Sequence, residues 1–428
     1  MPRDMYDLEI TGAAPATVAA LDLFGRAWIG YGTEFQPLLT EAERDRACPL
    51  AQAYAAILHM SLEAESGYRA AAPFLKRLDT ATVTPRESAI IAAARHWAAG
   101  DPRAALTDFA RAVEIAPTDL VAAKWGQYLA FNFGDAPAML SLAERTLPHH
   151  RHTPEAWGMH AFALEQSHRL DEAEAAAHRA LELKPTEPWA QHALAHVYET
   201  QGRLDEGVTF LERAAPGWAD RSVFMREHNW WHLALFRLDR DEPARALKIY
   251  DDHLWGEWPE FAQEQIGAIA LLWRLELRGV DIGNRWQPVV AKVEERGHEH
   301  LWPFHDLHYA YARAHGSTAD AFLESLRTHA ERSPDKVWSK IAHPAAEGLI
   351  AHARKNFTEA TARLTPLIDD LYLIGGSHAQ RDIFIQTWLD AATRSGAHNT
   401  IINALKERAA ARPTVAIHHR ELDAVLKR

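Results

Sequence analysis

The segment ARAVEIAPTD at residues 110–119 aligns with HRALELKPTE at 178–187, 68 positions later. Half of that spacing recurs around it. Pro154 and Pro188, HRLDEA at 168–173 and GRLDEG at 202–207, and Ala180 and Ala214 all stand 34 apart. A period of this length marks a stacked array, in which each unit is too small to bury its own apolar face and buries it against the next. Within one period Trp157 takes an early large position, Ala161 and Ala173 take small ones, and Pro185 closes the unit.

Length, small slots and terminal proline together specify a tetratricopeptide-type pair of antiparallel helices. Ala-rich stretches such as EAEAAAHRALEL favour helix, and period-two runs of Val, Ile and Thr are nearly absent. Thr84-Pro85 with Glu87, and Ser377 with Gln380, form capping boxes; Thr153-Pro154 offers a capping hydroxyl. The expected fold is an all-α tetratricopeptide-like solenoid spanning 1–428 as one domain and able to close into a compact superhelix around a central pocket. Its regular repeats cover about 84–254, and irregular pairs fill 255–428. AIALLWRLELRG at 268–279, apolar nearly all round, reads as a buried helix. Residues 304–331 and 345–370 read as further pairs, and 377–395 as the last helix.

The formal net charge of −12 comes without any lysine or arginine run, so the expected partners exclude nucleic acid and anionic membrane. Cys48 is the only cysteine, which rules out an intrachain disulfide and a thiolate zinc cluster. The polar start MPRDMYDLEITG and the short apolar runs point to a cytoplasmic protein. No phosphate loop, GxGxxG or GxSxG elbow occurs, so nucleotide cofactors and serine hydrolysis have no support.

The 25 histidines carry the functional signal. Those in HHRH at 149–152, with His418 and His419, read as solvated loop residues. On helices the pattern differs. In WAQHALAHVYET, His192, His196 and Glu199 fall at i, i+4 and i+7, on the face that lines the inner wall of such an array. His228 and His232 repeat the i, i+4 spacing one unit later. His305 and His308 are three apart, and His378 opens a helix where free N–H groups favour an anion, with Arg381 one turn on. Neutral imidazoles four apart can chelate a divalent transition metal, with Glu199 or Asp306 as an oxygen ligand. The metalloprotease pattern fails, because Ala193, Leu194 and Ala195 stand between the histidines. The metal-free alternative is acid/base chemistry on a histidine oriented by Glu199 or Glu165. Trp125, Trp157 and Trp273 read as core, and Trp231 as a border of the pocket.

MHAFALEQ at 159–166, WAQHALAHVYETQGR at 189–203, HNWWHLAL at 228–235, LLWRLEL at 271–277 and GGSHAQRDIF at 375–384 occur in that order. Together they resemble the tetratricopeptide repeat protein thirty-eight family, over about residues 40 to 395. The resemblance implies a helical-repeat protein without a settled activity. It carries over His160, Glu165, His192, His196, Glu199, His228, Asn229, His232, His378, Gln380 and Arg381 as motif positions. The chain departs from the family at QIGAIALLW, where an aspartate-alanine step is replaced and no acid stands between Glu264 and Glu276.

The sequence thus points to an internal pocket for a small molecule, one that could be anionic, in a chain that could be a homo-oligomer. His192, His196, Glu199, His228 and His232 would carry hydrolysis or elimination, the four histidines being the ligands if a metal is present. His160, Glu165, Asn229, Trp231, His305, His308, His378, Gln380 and Arg381 would line the ligand. The alternative is a peptide- or protein-binding adaptor without catalysis.

Overall fold

The computed structural model describes residues 1–78 and 83–427. Twenty-three α-helices, joined by tight turns and short 3₁₀ segments, make up the described residues, and the only β pairing among them is an isolated bridge between Arg3 and Glu9. The helices Pro154–Gln166 and Leu170–Leu183 are followed by Pro188–Thr200 and Leu204–Ala214. Both members of the pair therefore recur at the 34-residue interval of the sequence. The fold is an all-α helical-repeat solenoid.

The backbone shows how far the repeat runs. Gly100, Gly134, His168 and Gly202, each 34 after the last, all take positive φ in the turn between the two helices of a pair. A left-handed residue ends the first helix and lets the chain reverse, which glycine does without a Cβ penalty. Glu63, Asp241, Gly279, Lys355 and Gly396 do the same in other pairs, at intervals that are no longer 34. The array thus continues where the sequence period is lost. It also continues past residue 395, expected to end the last helix: His398–Ala411 and Ala416–Leu426 follow.

Thr84 and Ser377 accept from the backbone N–H of Glu87 and Gln380 in complete capping boxes. Thr153 makes no such bond, and Pro154 alone marks that start.

The chain divides into two compact units, whereas the sequence reading takes one domain. The first comprises Met1–Phe131, Asp135–Leu194 and Gly217–Met225; the second comprises Asn132–Gly134, Ala195–Pro216 and Arg226–Arg428. Trp97, Trp125, Phe24 and Phe109 are fully buried in the first. In the second, Trp273 stacks on Tyr311 (3.7 Å between ring centres) within a core that includes Trp231, Phe236 and Phe384. Trp157 is only half-buried, its indole donating to the Arg151 carbonyl at 3.0 Å.

One repeat slot shows how packing selects its residue. Ala173 is fully buried, and the equivalent position 34 later is Gly207. A Cβ there would lie 2.2 Å from Cε1 of Phe236, which belongs to the helix Val223–Asp239. Gly207→Ala should therefore destabilise the protein by about 1–3 kcal/mol through overpacking, although alanine is the better helix former by about 1 kcal/mol. A lowered urea midpoint at unchanged m-value would register this. An unchanged or raised midpoint would mean that Phe236 yields its place.

Candidate functional site

In the second unit, the end of the helix Pro188–Thr200 supplies His196 and Glu199, and the helix Val223–Asp239 supplies His228 and His232. The i, i+4 spacing puts the latter two on one face. His196 and His232 have ring centres 4.5 Å apart, and His228 and His232 4.9 Å apart and nearly perpendicular. One nitrogen from each of the three lies within 4.8 Å of the others. His196 and His232 are buried and His228 is partly exposed. His192, expected with these three as a ligand, lies one turn earlier on the same helix as His196, in the part of it that belongs to the first unit. In the first unit the His192 ring stacks on Trp189 with 4.2 Å between centres.

Electrostatics fix the form of these rings. Burial, with His196 adding to it, pushes His228 down to about 3. Burial also holds His232 well below the ordinary histidine value, helped by His196, His228 and Arg274. Both are neutral imidazoles across the physiological range, the form that ligates metals. A ring that protonates only near pH 3 is poorly matched to acid/base work at pH 7. Glu199 differs. Its Oε2 lies 3.5 Å from Nδ1 of His232, and burial pushes it up to about 7 against the opposing pull of Arg412, His196 and Arg274.

Arg274, on the helix Ala262–Leu277, is 3% exposed and sits 5.2 Å over the ring of Trp231, which in turn stacks on His228. It donates to the carbonyls of Ala270 at 3.0 Å and Ala379 at 2.7 Å. Its own charge is disfavoured by burial, which brings it down to about 10. Sequence reasoning passed over Arg274. The available signal was an arginine inside the largely apolar LLWRLEL, where Glu276 is the only other charge.

The other candidate residues fall elsewhere. His160 and Glu165 belong to the first unit; His160 packs edge-on to Trp157, and Glu165 accepts from Gln166 at 2.5 Å. Asn229 is wholly buried beside His228 in sequence. His308 donates from Nδ1 to the Phe304 carbonyl at 2.8 Å and abuts Phe384, and His305 stands 3.4 Å from the Gln263 amide. Asp306 pairs with His300 at 2.5 Å rather than with its helical neighbours. Gln380 completes a capping box, and the Arg381 guanidinium donates to Gly376 and Gly375 carbonyls and to Nδ1 of His378. These bonds hold the Gly375–Gly376 turn. Two loop expectations are corrected: His418 lies on a helix, 2% exposed and 3.2 Å from Arg408, and His150 is buried with a bond to the Thr118 carbonyl.

Among known proteins, residues 164–217 match the family model of the tetratricopeptide repeat. The chain therefore contains this repeat at the place the 34-residue period marks. Similar solved structures include a human IFIT1 dimer with m7Gppp-AAAA, at 12% identity over 89% of this chain and 88% of that one, with a TM-score of 0.44. A human IFIT1 dimer with PPP-AAAA is 13% identical over 99% and 94%, also at 0.44. The P58(IPK) TPR domain is 14% identical over 81% and 100%, at 0.24. The expectation that nucleic acid is excluded as a partner is withdrawn; the IFIT1 structures are those of proteins with m7Gppp-AAAA and PPP-AAAA. A net charge of −12 is a sum over the chain, whereas recognition depends on the side chains of one surface. No helix of the described residues is long and apolar enough to cross a membrane.

Proposed function

We propose that this chain is a helical-repeat binding protein of the adaptor class whose second unit holds a divalent transition metal on His196, His228 and His232. One observation carries the metal site: three ring nitrogens from two helices converge within 4.8 Å. Tetrahedral ligation at about 2.0–2.1 Å would set neighbouring nitrogens about 3.3 Å apart, a closure that small ring rotations supply. Three imidazoles with a carboxylate beside them suit zinc, copper, nickel or iron. Glu199 would take a remaining position or hold the His232 ring through Nδ1. The tetratricopeptide match supports the adaptor role, and the five ordered motifs support placement in the thirty-eight family. A single cysteine, Cys48, buried and reduced, suits a cytoplasmic protein.

Metal analysis of protein purified without a histidine tag tests the site. About one equivalent of a transition metal is expected, falling to background in His196→Ala/His232→Ala protein; substoichiometric metal that the double variant does not change would refute it. The adaptor role predicts that a peptide selected from a display library binds equally well with and without metal.

A second reading, hydrolysis or elimination of a small molecule, is favoured by Glu199 alone, the one carboxylate beside the rings that titrates near neutrality. A bound metal there would polarise a carbonyl or phosphoryl oxygen. Turnover of an activated ester or phosphate by loaded protein, lost in Glu199→Gln, would support it. Turnover no faster than free metal in buffer would remove it.

A further inference from the structure

The first unit contains another cluster of reactive groups that the metal site does not use. Lys124, on the helix Leu120–Asn132, is 6% exposed. Its Nζ lies 3.5 Å from the centre of the Tyr31 ring, with the rings of Trp28 and Trp189 5.5 and 5.9 Å away. Its hydrogen bond goes to the Ile29 carbonyl at 2.8 Å rather than to a carboxylate. Trp28, Tyr31 and Trp189 are each only half-buried, so part of each ring is open to solvent.

Glu187, fully buried, caps the helix Pro188–Thr200: its Oε2 accepts from the Ala190 N–H, and its Oε1 has no hydrogen-bond partner. A partnerless buried carboxylate oxygen is costly, and the fold makes room for the carboxylate at its other, bonded oxygen. A Cβ on Gly158 would stand 2.6 Å from Oε2.

We propose that Lys124 is a reactive amine that condenses with a small planar aldehyde, with Glu187 as its proton donor and acceptor. Burial disfavours the ammonium and depresses the lysine, while the charges of Glu187 and Glu155 oppose that shift. Burial raises Glu187, with Glu155 adding to it. Glu155 itself is paired with Lys184 at 2.8 Å. A neutral amine and a protonated carboxyl are the pair that imine formation needs. The amine lone pair adds to the carbonyl carbon to give a carbinolamine. Glu187 protonates the hydroxyl, which leaves as water. The nitrogen then returns its proton to the carboxylate, so that amine and aldehyde become imine and water. The rings of Trp28, Tyr31 and Trp189 would flank a flat conjugated body.

Salicylaldehyde with cyanoborohydride, added to the full chain at pH 7, would reduce the imine to a stable secondary amine that peptide mapping locates. Lys124 should be trapped at least tenfold faster than the exposed Lys248 and Lys427. Lys124→Arg, which keeps a donor for the Ile29 carbonyl, should abolish that adduct with little change in melting temperature. Glu187→Gln should slow trapping at Lys124 and leave the exposed lysines unaffected. Labelling spread over surface lysines, with Lys124 modified only after denaturation, would reduce it to a cap on the helix Pro15–Gly30 and overturn the proposal. Equal trapping in Glu187→Gln protein would overturn the role of the carboxylate.

Discussion

Chelating the metal from loaded, untagged protein is expected to lower its melting temperature by roughly 8–16 °C, and His232→Ala protein should show no such drop. A ligand held at a thousand times its Kd stabilises the folded state by about 4 kcal/mol, and each kcal/mol moves the melting temperature by about 2–4 °C for a unit of some 200 residues. The geometry makes the effect large. His196 comes from one helix and His228 and His232 from another, so a bound metal would tie two helices together. His232 is fully buried between the other two, and its loss would take away the central ligand. A melting temperature indifferent to chelator, in protein shown to carry metal, would separate adventitious binding from a built site.

Asp239→Ala should cost about 3–5 kcal/mol, because it strands buried guanidinium groups. Asp239, on the helix Val223–Asp239, accepts from Arg278 at 3.0 Å and from Arg412, and the three side chains are only 11–14% exposed. Arg412 belongs to the C-terminal segment, which returns to this part of the second unit at several points. Thr414 donates to the Gly202 carbonyl, Arg420 forks onto Asp241 at 2.5 and 2.7 Å, and Arg408 pairs with Asp382. The exposed Arg420 pair contributes little; the buried Asp239 pair carries the attachment. Limited proteolysis should release the segment after about residue 411 in the variant and leave the parent intact. Simultaneous, unselective digestion of both would refute the local role.

The pH dependence of Asp239 has a defined sign. Arg412, Arg278 and His418 hold it below its ordinary value, while burial and Asp382 oppose them. Its contribution is therefore complete above the unfolded carboxylate value near 4 and is lost as the pH falls through the lower folded value. Acid unfolding of the parent should be steeper than that of Asp239→Asn, which has no such proton to take up.

Much of this was written locally in the chain. The 34-residue period, the proline starts and the boxes at Thr84 and Ser377 are short-range features, and short-range physics suffices to read them. The i, i+4 pairs His192/His196 and His228/His232 were likewise legible, since helical spacing alone puts each pair on one face. Where the period dissolves, the sequence misled. The last two helices and the burial of His418 depend on Arg408 and on contacts across more than 150 residues, such as Arg412 with Asp239. Arg274 gained its meaning only when the Ala379 carbonyl and the Trp231 ring came beside it. Tertiary structure also decided chemistry. It made His228 and His232 neutral by burial, set Glu199 apart as the group that titrates near 7, and put Lys124 under Tyr31, 93 residues away. A sequence states which side chains share a helical face. What they can do depends on how much water and which charges the rest of the fold leaves around them.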